Sequence, residues 1–241
     1  YGLWAFSKRN SVIILSIILL SMSFRWKIAQ WFERRWWKNY LKKKTPTDYL
    51  TWKKNYWNGF LQEINLSLEK TEAPIIDIGC GPAGIFTIFQ NEKITALDPL
   101  LEQYEKDLLI FDKEKYPQTS FITQDFETAT IKEKYTTVFC LNAINHFHDL
   151  KNSLQKLNNI TSLNGKLILS IDAHNHSFFK HLFRLLPLDI LHPHQYDLVE
   201  YTAMLEENGF EIKGKFCQKK AFFFDYWVLT AEKVLLSQPK K

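Results

Sequence analysis

The chain has 241 residues, 46% hydrophobic and 24% charged, an ordinary globular composition with room for a sizeable core. Eight Gly, eight Pro and 15% aromatic residues exclude a collagen-like or linker-dominated chain and argue against global disorder. The three cysteines, Cys80, Cys140 and Cys217, form no CxxC pair and indicate neither a disulfide framework nor a zinc site, so a reducing, cytoplasmic compartment is expected. The net charge of +5 conceals an asymmetry: residues 1–54 carry +10, the remainder −5, and seven of the eight tryptophans fall within the first 57 residues.

The first apolar run, Val12 to Leu20, reaches only 13 residues when extended to Phe24, short of the roughly 20 that span a bilayer. A signal-peptide core behind Lys8 and Arg9 lacks a small-residue cleavage site. A short hydrophobic anchor is one alternative; the favoured expectation is that Met22 is the native start and that residues 1–21 are upstream sequence. From Arg25 to Lys44, Trp26, Ile28, Ala29, Phe32, Trp36, Trp37, Tyr40 and Leu41 recur at near-helical spacing among Lys and Arg, which predicts an amphipathic basic helix. Thr45-Pro46-Thr47-Asp48 then supplies a stop, an N-cap and an acidic first turn for a second helix carrying Tyr49, Trp52, Tyr56, Phe60 and Ile64. Residues 22–71 are thus a cap of two helices. They either pack on the main domain with their cations solvated, or cover the active site, or touch an anionic membrane surface. No nucleic-acid partner is expected, because no recognised binding motif accompanies the basic stretch.

After Glu72 the pattern changes. Pro74 to Ile78 reads as a buried strand, Gly79 to Gly84 as a glycine turn, and Ile85 to Gln90 as the helix that follows it. The turn needs glycine where the backbone bends tightly and a ligand approaches it closely. GxGxxG alone would also fit a nicotinamide enzyme. Strand two, Ile94 to Leu97, ends in Asp98, whose carboxylate can accept two ribose hydroxyls. Strand three, Ser120 to Thr123, ends at Gln124-Asp125-Phe126, and strand four, Thr136 to Leu141, at Asn142-Ala143-Ile144-Asn145-His146. Strand five, Lys166 to Ile171, follows the turn Leu163-Asn164-Gly165 and ends at Asp172-Ala173-His174. With helical stretches between them, these strands predict an open parallel α/β sheet whose polar residues gather at the strand C-terminal ends, where ligands bind.

In order along the chain, Asp77 to Gly84, Asp98, Asp125-Phe126, Cys140 to Phe147 and Leu163 to Ser170 resemble the class I S-adenosylmethionine-dependent methyltransferases of the type 11 or 25 domain group. The resemblance covers about two thirds of the chain, residues 72 to 232. Acidic Asp77 inside the strand before the glycines favours it over a dehydrogenase. So do the strand-like runs Phe210 to Phe216 and Ala221 to Ala231, similar to that family's closing antiparallel hairpin. It implies a Rossmann-like sheet of seven strands, mostly parallel with an antiparallel last strand, and helices on both faces. It places this domain at residues 72–234, with an insertion at 173–197 and a tail at 235–241.

The implied cofactor is S-adenosylmethionine. Gly79, Cys80 and Gly81 would lie against its methionine part and Asp77 would organise the loop. Asp98 would take the ribose, Asp125 and Phe126 the adenine, and Asn142 the methionine end. A helix cap is the plain alternative for Asp125 and for Asn142. Ala83 departs from the glycine common in the family, which puts only the loop's detail in doubt. In-line methyl transfer needs alignment, and a base when the acceptor is a hydroxyl. All seven histidines lie between positions 146 and 194. His174 and His194, with His146, are the candidate bases; purely structural use is the alternative for each. Zinc on His174-x-His176 and His192-x-His194 is not favoured, because the family needs no metal for small acceptors.

The insertion's apolar part, Asn175 to Leu191, reads as a lid. Trp57, Phe178 and Tyr196 are the residues expected to face the acceptor, a small hydrophobic or amphipathic molecule methylated on oxygen. No NPPY-type tetrapeptide stands at Asn142 to Asn145, which argues against nucleobase or glutamine amino methylation. A catalytically silent methyltransferase-like subunit is the alternative from another class of function.

Overall fold

The computed structural model describes residues 30–175, 196–222 and 224–235. The hydrophobic stretch within residues 1–21, the start of the first basic helix, most of the insertion with Phe178 and His194, and the last six residues lie outside the described residues. Two compact units are present, residues 1–42 and residues 43–241. In the first, residues 30–41 are helical (α1). The second opens with α2, Pro46–Glu63, so this helix belongs to the same compact unit as the sheet.

Helix α2 starts where the sequence places it. Thr45 is the N-cap, its hydroxyl accepting the Asp48 N–H at 3.2 Å, and Pro46 sits in the first turn, where a missing N–H costs nothing. Tyr49, Trp57, Phe60 and Leu61 are its buried residues.

Seven strands follow: β1 Ile75–Ile78, β2 Ile94–Leu97, β3 Thr119–Ile122, β4 Tyr135–Cys140, β5 Thr161–His174, β6 Phe210–Lys219 and β7 Phe224–Lys233. Their order in the sheet is β3-β2-β1-β4-β5-β7-β6. The first five strands pair in parallel, and β7 runs antiparallel between β5 and β6. This is the expected Rossmann-like arrangement with its inserted antiparallel last strand. Every residue of β1 and β2 is buried, as unbroken apolar strands in the middle of a parallel sheet must be. Edge strand β6 alternates buried or half-buried with exposed residues over most of its length and ends in lysine, a composition that discourages further pairing.

The connections depart from the expected alternation. Helices α3 (Leu101–Asp107), α4 (Leu150–Ile160) and α5 (Leu198–Glu207) follow β2, β4 and β5. Between β3 and β4 there are only turns. Between β1 and β2 the expected helix at Ile85 to Gln90 is instead a short 3-10 turn, Ile85–Ile88. Its residues Ile85, Phe86, Thr87 and Ile88 are all buried. Helix α2 packs on this turn.

Helix α5 packs against β6 and β5. Asp197 caps it, accepting the Glu200 N–H at 2.9 Å, while the Glu200 carboxylate accepts the Asp197 N–H at 2.9 Å. Removing this reciprocal cap with Asp197→Ala is expected to lower the unfolding free energy by about 0.5–2 kcal/mol, read as an earlier urea midpoint at unchanged slope.

Candidate functional site

The parallel strands end at one edge, and the glycine turn after β1 is built there by its own backbone bonds. Gly79 and Gly81 have φ of +67° and +58°, in the left-handed region that glycine adopts without cost. This conformation lets the N–H groups of Gly79 and Cys80 both reach the carbonyl of Leu97, the last residue of β2, at 2.7 and 3.2 Å. A Cβ on Gly79 would collide with the Cβ of Ala143, so the turn is in direct contact with the segment after β4.

Asp98 links the turn to β2. One carboxylate oxygen accepts the Gly81 N–H at 3.0 Å and the other accepts the Leu100 N–H at 2.8 Å. The side chain is held at the strand's C-terminal end with only 6% of the residue exposed. Charge-assisted bonds of this kind fix orientation strongly.

Asp77 lies one step inside the sheet and is 2% exposed. Its carboxylate accepts the Phe86 N–H at 3.2 Å, returning the chain after the glycine turn to β1. A Cβ on Gly84 would run into this carboxylate and the Cys80 carbonyl, which accounts for the third glycine. Burial pushes the Asp77 carboxyl up to about 7, against the pull of the Phe86 and Ile85 N–H groups and of the Lys53 ammonium. Lys53, from α2, is itself lowered to about 8 by burial, with Asp77 opposing the shift. Its ammonium lies 4.3 Å from the Trp57 ring centroid and 4.6 Å from that of Tyr56. Trp57 is buried, and its indole N–H donates to the Ala83 carbonyl at 3.0 Å. Helix α2 therefore bonds to the glycine turn through Trp57 and brings the Lys53 charge near Asp77 of β1. Sequence reading missed Lys53; the available signal was a lysine four residues before a tryptophan on one helix face. The Cys80 thiol is raised by burial and by the nearby Asp77 and Asp98 carboxylates, so it is no thiolate nucleophile.

At the end of β3, Asp125 accepts the Glu127 N–H and the Thr128 hydroxyl, each at 2.8 Å, and so organises its own turn. Phe126 is buried and stacks on Phe147 with centroids 5.4 Å apart. Lys156 from α4 fastens this segment, donating to the carbonyls of Phe126, Glu127 and Ala129. Lys156 too escaped sequence reading, since a surface-like lysine in a helix carries no signal of its partners.

After β4, Asn142 is exposed and adopts φ +54°. Its N–H donates to the Ser170 hydroxyl of β5 at 2.6 Å, and that hydroxyl lies 3.2 Å from the Asn142 carboxamide oxygen. His146 is exposed at the end of the same segment. Asn145 is buried, accepting the Tyr201 hydroxyl of α5 at 3.2 Å. At the end of β5, His174 is buried, its ring 4.3 Å from that of Phe224, and its backbone N–H donates to the Tyr196 carbonyl at 3.0 Å. Tyr196 is half-buried and edge-on to Tyr201 at 5.7 Å.

The structure thus brings Asp77, Gly79, Cys80, Gly81 and Asp98 into one hydrogen-bonded unit touching Ala143, the neighbour of Asn142. Asp125 and Phe126 form a second unit, and His174 with Tyr196 a third, on successive ends of the sheet. Among the described residues, no group of three or more His, Cys, Asp and Glu side chains is placed to hold a metal ion.

A family model described as "Methyltransferase domain" matches residues 49–213. A protein of Invertebrate iridescent virus 6 named as a methyltransferase, 235L, is 25% identical over 176 residues, 64% of this chain and 62% of the viral protein. The chain thus matches under two thirds of that relative's length. Among solved structures, the N-methyltransferase NodS from Bradyrhizobium japonicum superposes with a TM-score of 0.54 at 12% identity, covering 72% of this chain and 93% of its own. The 1,6-didemethyltoxoflavin-N1-methyltransferase of Burkholderia thailandensis, solved with its acceptor and S-adenosylhomocysteine, superposes with a TM-score of 0.53 at 12% identity, covering 94% and 90%. At these identities the superpositions establish a shared fold.

Two outcomes follow from the glycine turn. Gly79→Ala is expected to destabilise the fold by about 2 kcal/mol or more, from left-handed strain and the collision with Ala143, measurable by urea denaturation. For Asp77, a carboxyl raised from 3.8 to about 7 keeps in the native state a proton that the unfolded state has released. Its contribution to stability is therefore full below about pH 4 and is lost as pH rises through 7. Asp77→Asn keeps an acceptor for the Phe86 N–H and removes the titration. The melting temperature of Asp77→Asn should therefore gain on that of the wild type between about pH 4 and 7, and the gap should stay level just above 7.

Proposed function

The chain belongs to the methyltransferase domain family, and from that premise we propose that it transfers a methyl group from S-adenosylmethionine to a small hydrophobic or amphipathic acceptor, with a hydroxyl as the favoured nucleophile. The observation that carries this reading is the Gly81 to Asp98 hydrogen bond, which joins the glycine turn after β1 and the acid after β2 into one fixed unit. The residues fit the cofactor. A turn with two left-handed glycines offers bare backbone, and a buried carboxylate held at the end of β2 suits ribose hydroxyls.

In this reading Gly79, Cys80 and Gly81 hold the methionine portion, Asp77 keeps their turn in shape, and Asp98 accepts from the ribose. Asp125 and Phe126 hold the adenine, with Lys156 keeping that segment in place. Asn142, oriented by Ser170, faces the methionine end. S-adenosylmethionine supplies, when bound, a methyl group already activated on a sulfonium, so the chain's task is alignment and, for a hydroxyl, proton removal. His174, buried at the end of β5, is the favoured base among the described histidines, with His146 exposed at the end of β4. Tyr196 faces the acceptor, while Trp57 shapes the site from beneath through its bond to Ala83. Hydroxyl methylation is supported by the histidines at two neighbouring strand ends and by the lack of an NPPY-type tetrapeptide at Asn142 to Asn145.

Calorimetric titration of the full chain with S-adenosylmethionine and S-adenosylhomocysteine tests this. Both should bind, and Asp98→Ala should weaken both by roughly tenfold or more, as the loss of a charged hydrogen-bond acceptor does. Equal affinity in Asp98→Ala would remove the ribose role. Failure of the wild-type chain to bind either compound would overturn the proposed activity.

A further inference from the structure

Helix α1 has a surface that water does not favour. Trp31, Phe32 and Trp36 are 52%, 55% and 54% exposed, whereas large aromatic side chains are ordinarily mostly buried. At 100° per residue, Phe32, Trp36, Tyr40, Trp37 and Leu41 fall along one side of the helix, and Arg34, Arg35 and Lys38 along the other with Trp31 among them. The aromatic side is already ordered. Trp36 and Tyr40 stack at 4.8 Å with their planes 8° apart, and Trp37 stands edge-on to both, at 4.9 and 6.1 Å. Trp31 meets Phe32 edge-on at 5.0 Å and carries the Arg35 guanidinium 5.5 Å from its ring centroid.

The charge is one-sided as well. Residues 30–44 hold Arg34, Arg35, Lys38, Lys42, Lys43 and Lys44 against the single acid Glu33. A protein partner for such a surface would need an acidic face with an apolar groove. A lipid surface with anionic headgroups offers both components everywhere: phosphates for the cations, and an interfacial layer where amphipathic aromatic rings reside. No helix among the described residues is long and apolar enough to cross a membrane. The geometry suits a helix lying in the plane of the interface.

We propose that helix α1 is a docking element for anionic membrane surfaces, with Phe32, Trp36 and Tyr40 entering the interface and Arg34, Arg35 and Lys38 pairing with lipid phosphates. The inference rests on α1 alone and is independent of the methyl-transfer reading.

The test is co-sedimentation of the full chain with vesicles of phosphatidylcholine alone and of phosphatidylcholine mixed with phosphatidylglycerol, at low and high salt. Binding should require phosphatidylglycerol, weaken with salt as screened charges do, and shift tryptophan emission to the blue. A variant combining Trp31→Ser, Phe32→Ser and Trp36→Ser should lose most of this binding. Each charge-removing substitution among Arg34→Gln, Arg35→Gln and Lys38→Gln should weaken it roughly fivefold. Because Trp31, Phe32, Arg35, Trp36 and Lys38 are exposed, circular dichroism and S-adenosylhomocysteine titration of their variants should match the wild type and separate this outcome from any failure of the cofactor site. Equal binding to neutral vesicles, or undiminished binding by the serine variant, would overturn the proposal; the latter result would assign attachment to residues 12–24. Preference for an oligonucleotide over anionic vesicles would overturn it too.

Discussion

A carboxylate inside an apolar strand is the constraint around which the site is arranged. Asp77 sits among Ile75, Ile76 and Ile78, in a strand buried at every position, where an isolated charge would be very costly. The fold meets this cost locally. The chain returns after the glycine turn to donate the Phe86 N–H to it, Gly84 lacks the Cβ that would obstruct it, and Lys53 brings a positive charge from α2. What remains is a carboxyl held near neutrality and a lysine lowered toward it. Burial acts on both groups, and each opposes the other's shift.

The loop between β1 and β2 does without an α-helix, and α2 packs on it instead. A typical crossover places an amphipathic helix against the sheet to cover it and complete the connection. Here residues 85–89 are buried and apolar throughout and form a 3-10 turn. The packing partner comes from α2, whose Trp57 holds the Ala83 carbonyl. A segment outside the repeating strand and helix units thereby becomes part of the glycine turn's support. Shape at the turn then depends on contacts across the sequence: Gly79 against Ala143, Gly81 on Asp98, Ala83 on Trp57.

Two kinds of surface serve two kinds of contact. The sheet edge gathers short polar side chains whose positions are fixed by backbone bonds, as alignment of small reactants requires. Helix α1 instead presents large rings and long cations, the side chains that the proposed membrane contact would use. The steep charge asymmetry along the chain matches this division, with the positive excess confined to the segment that carries the exposed tryptophans.

The first five strands and the glycine turn were largely legible in the sequence, while the closing antiparallel hairpin came from the family resemblance. Unbroken apolar runs, glycine spacing and an acid after each of the first strands are local patterns, and parallel strands at this spacing admit few topologies. The α2 cap was legible for the same reason, since an N-cap needs only its own first turn. The missing helix after β1 was misread because an apolar stretch of this length does not reveal, by periodicity, whether anything else will cover it. The sequence alone determined which backbone segments become strands and where glycine must stand, because sterics and periodicity act over a few residues. The tertiary structure alone decided that Lys53 faces Asp77, that Lys156 fastens Phe126, that Ser170 turns Asn142, and that His174 is buried against Phe224. Those pairings join residues far apart in the chain, and only the packing of the sheet brings them together.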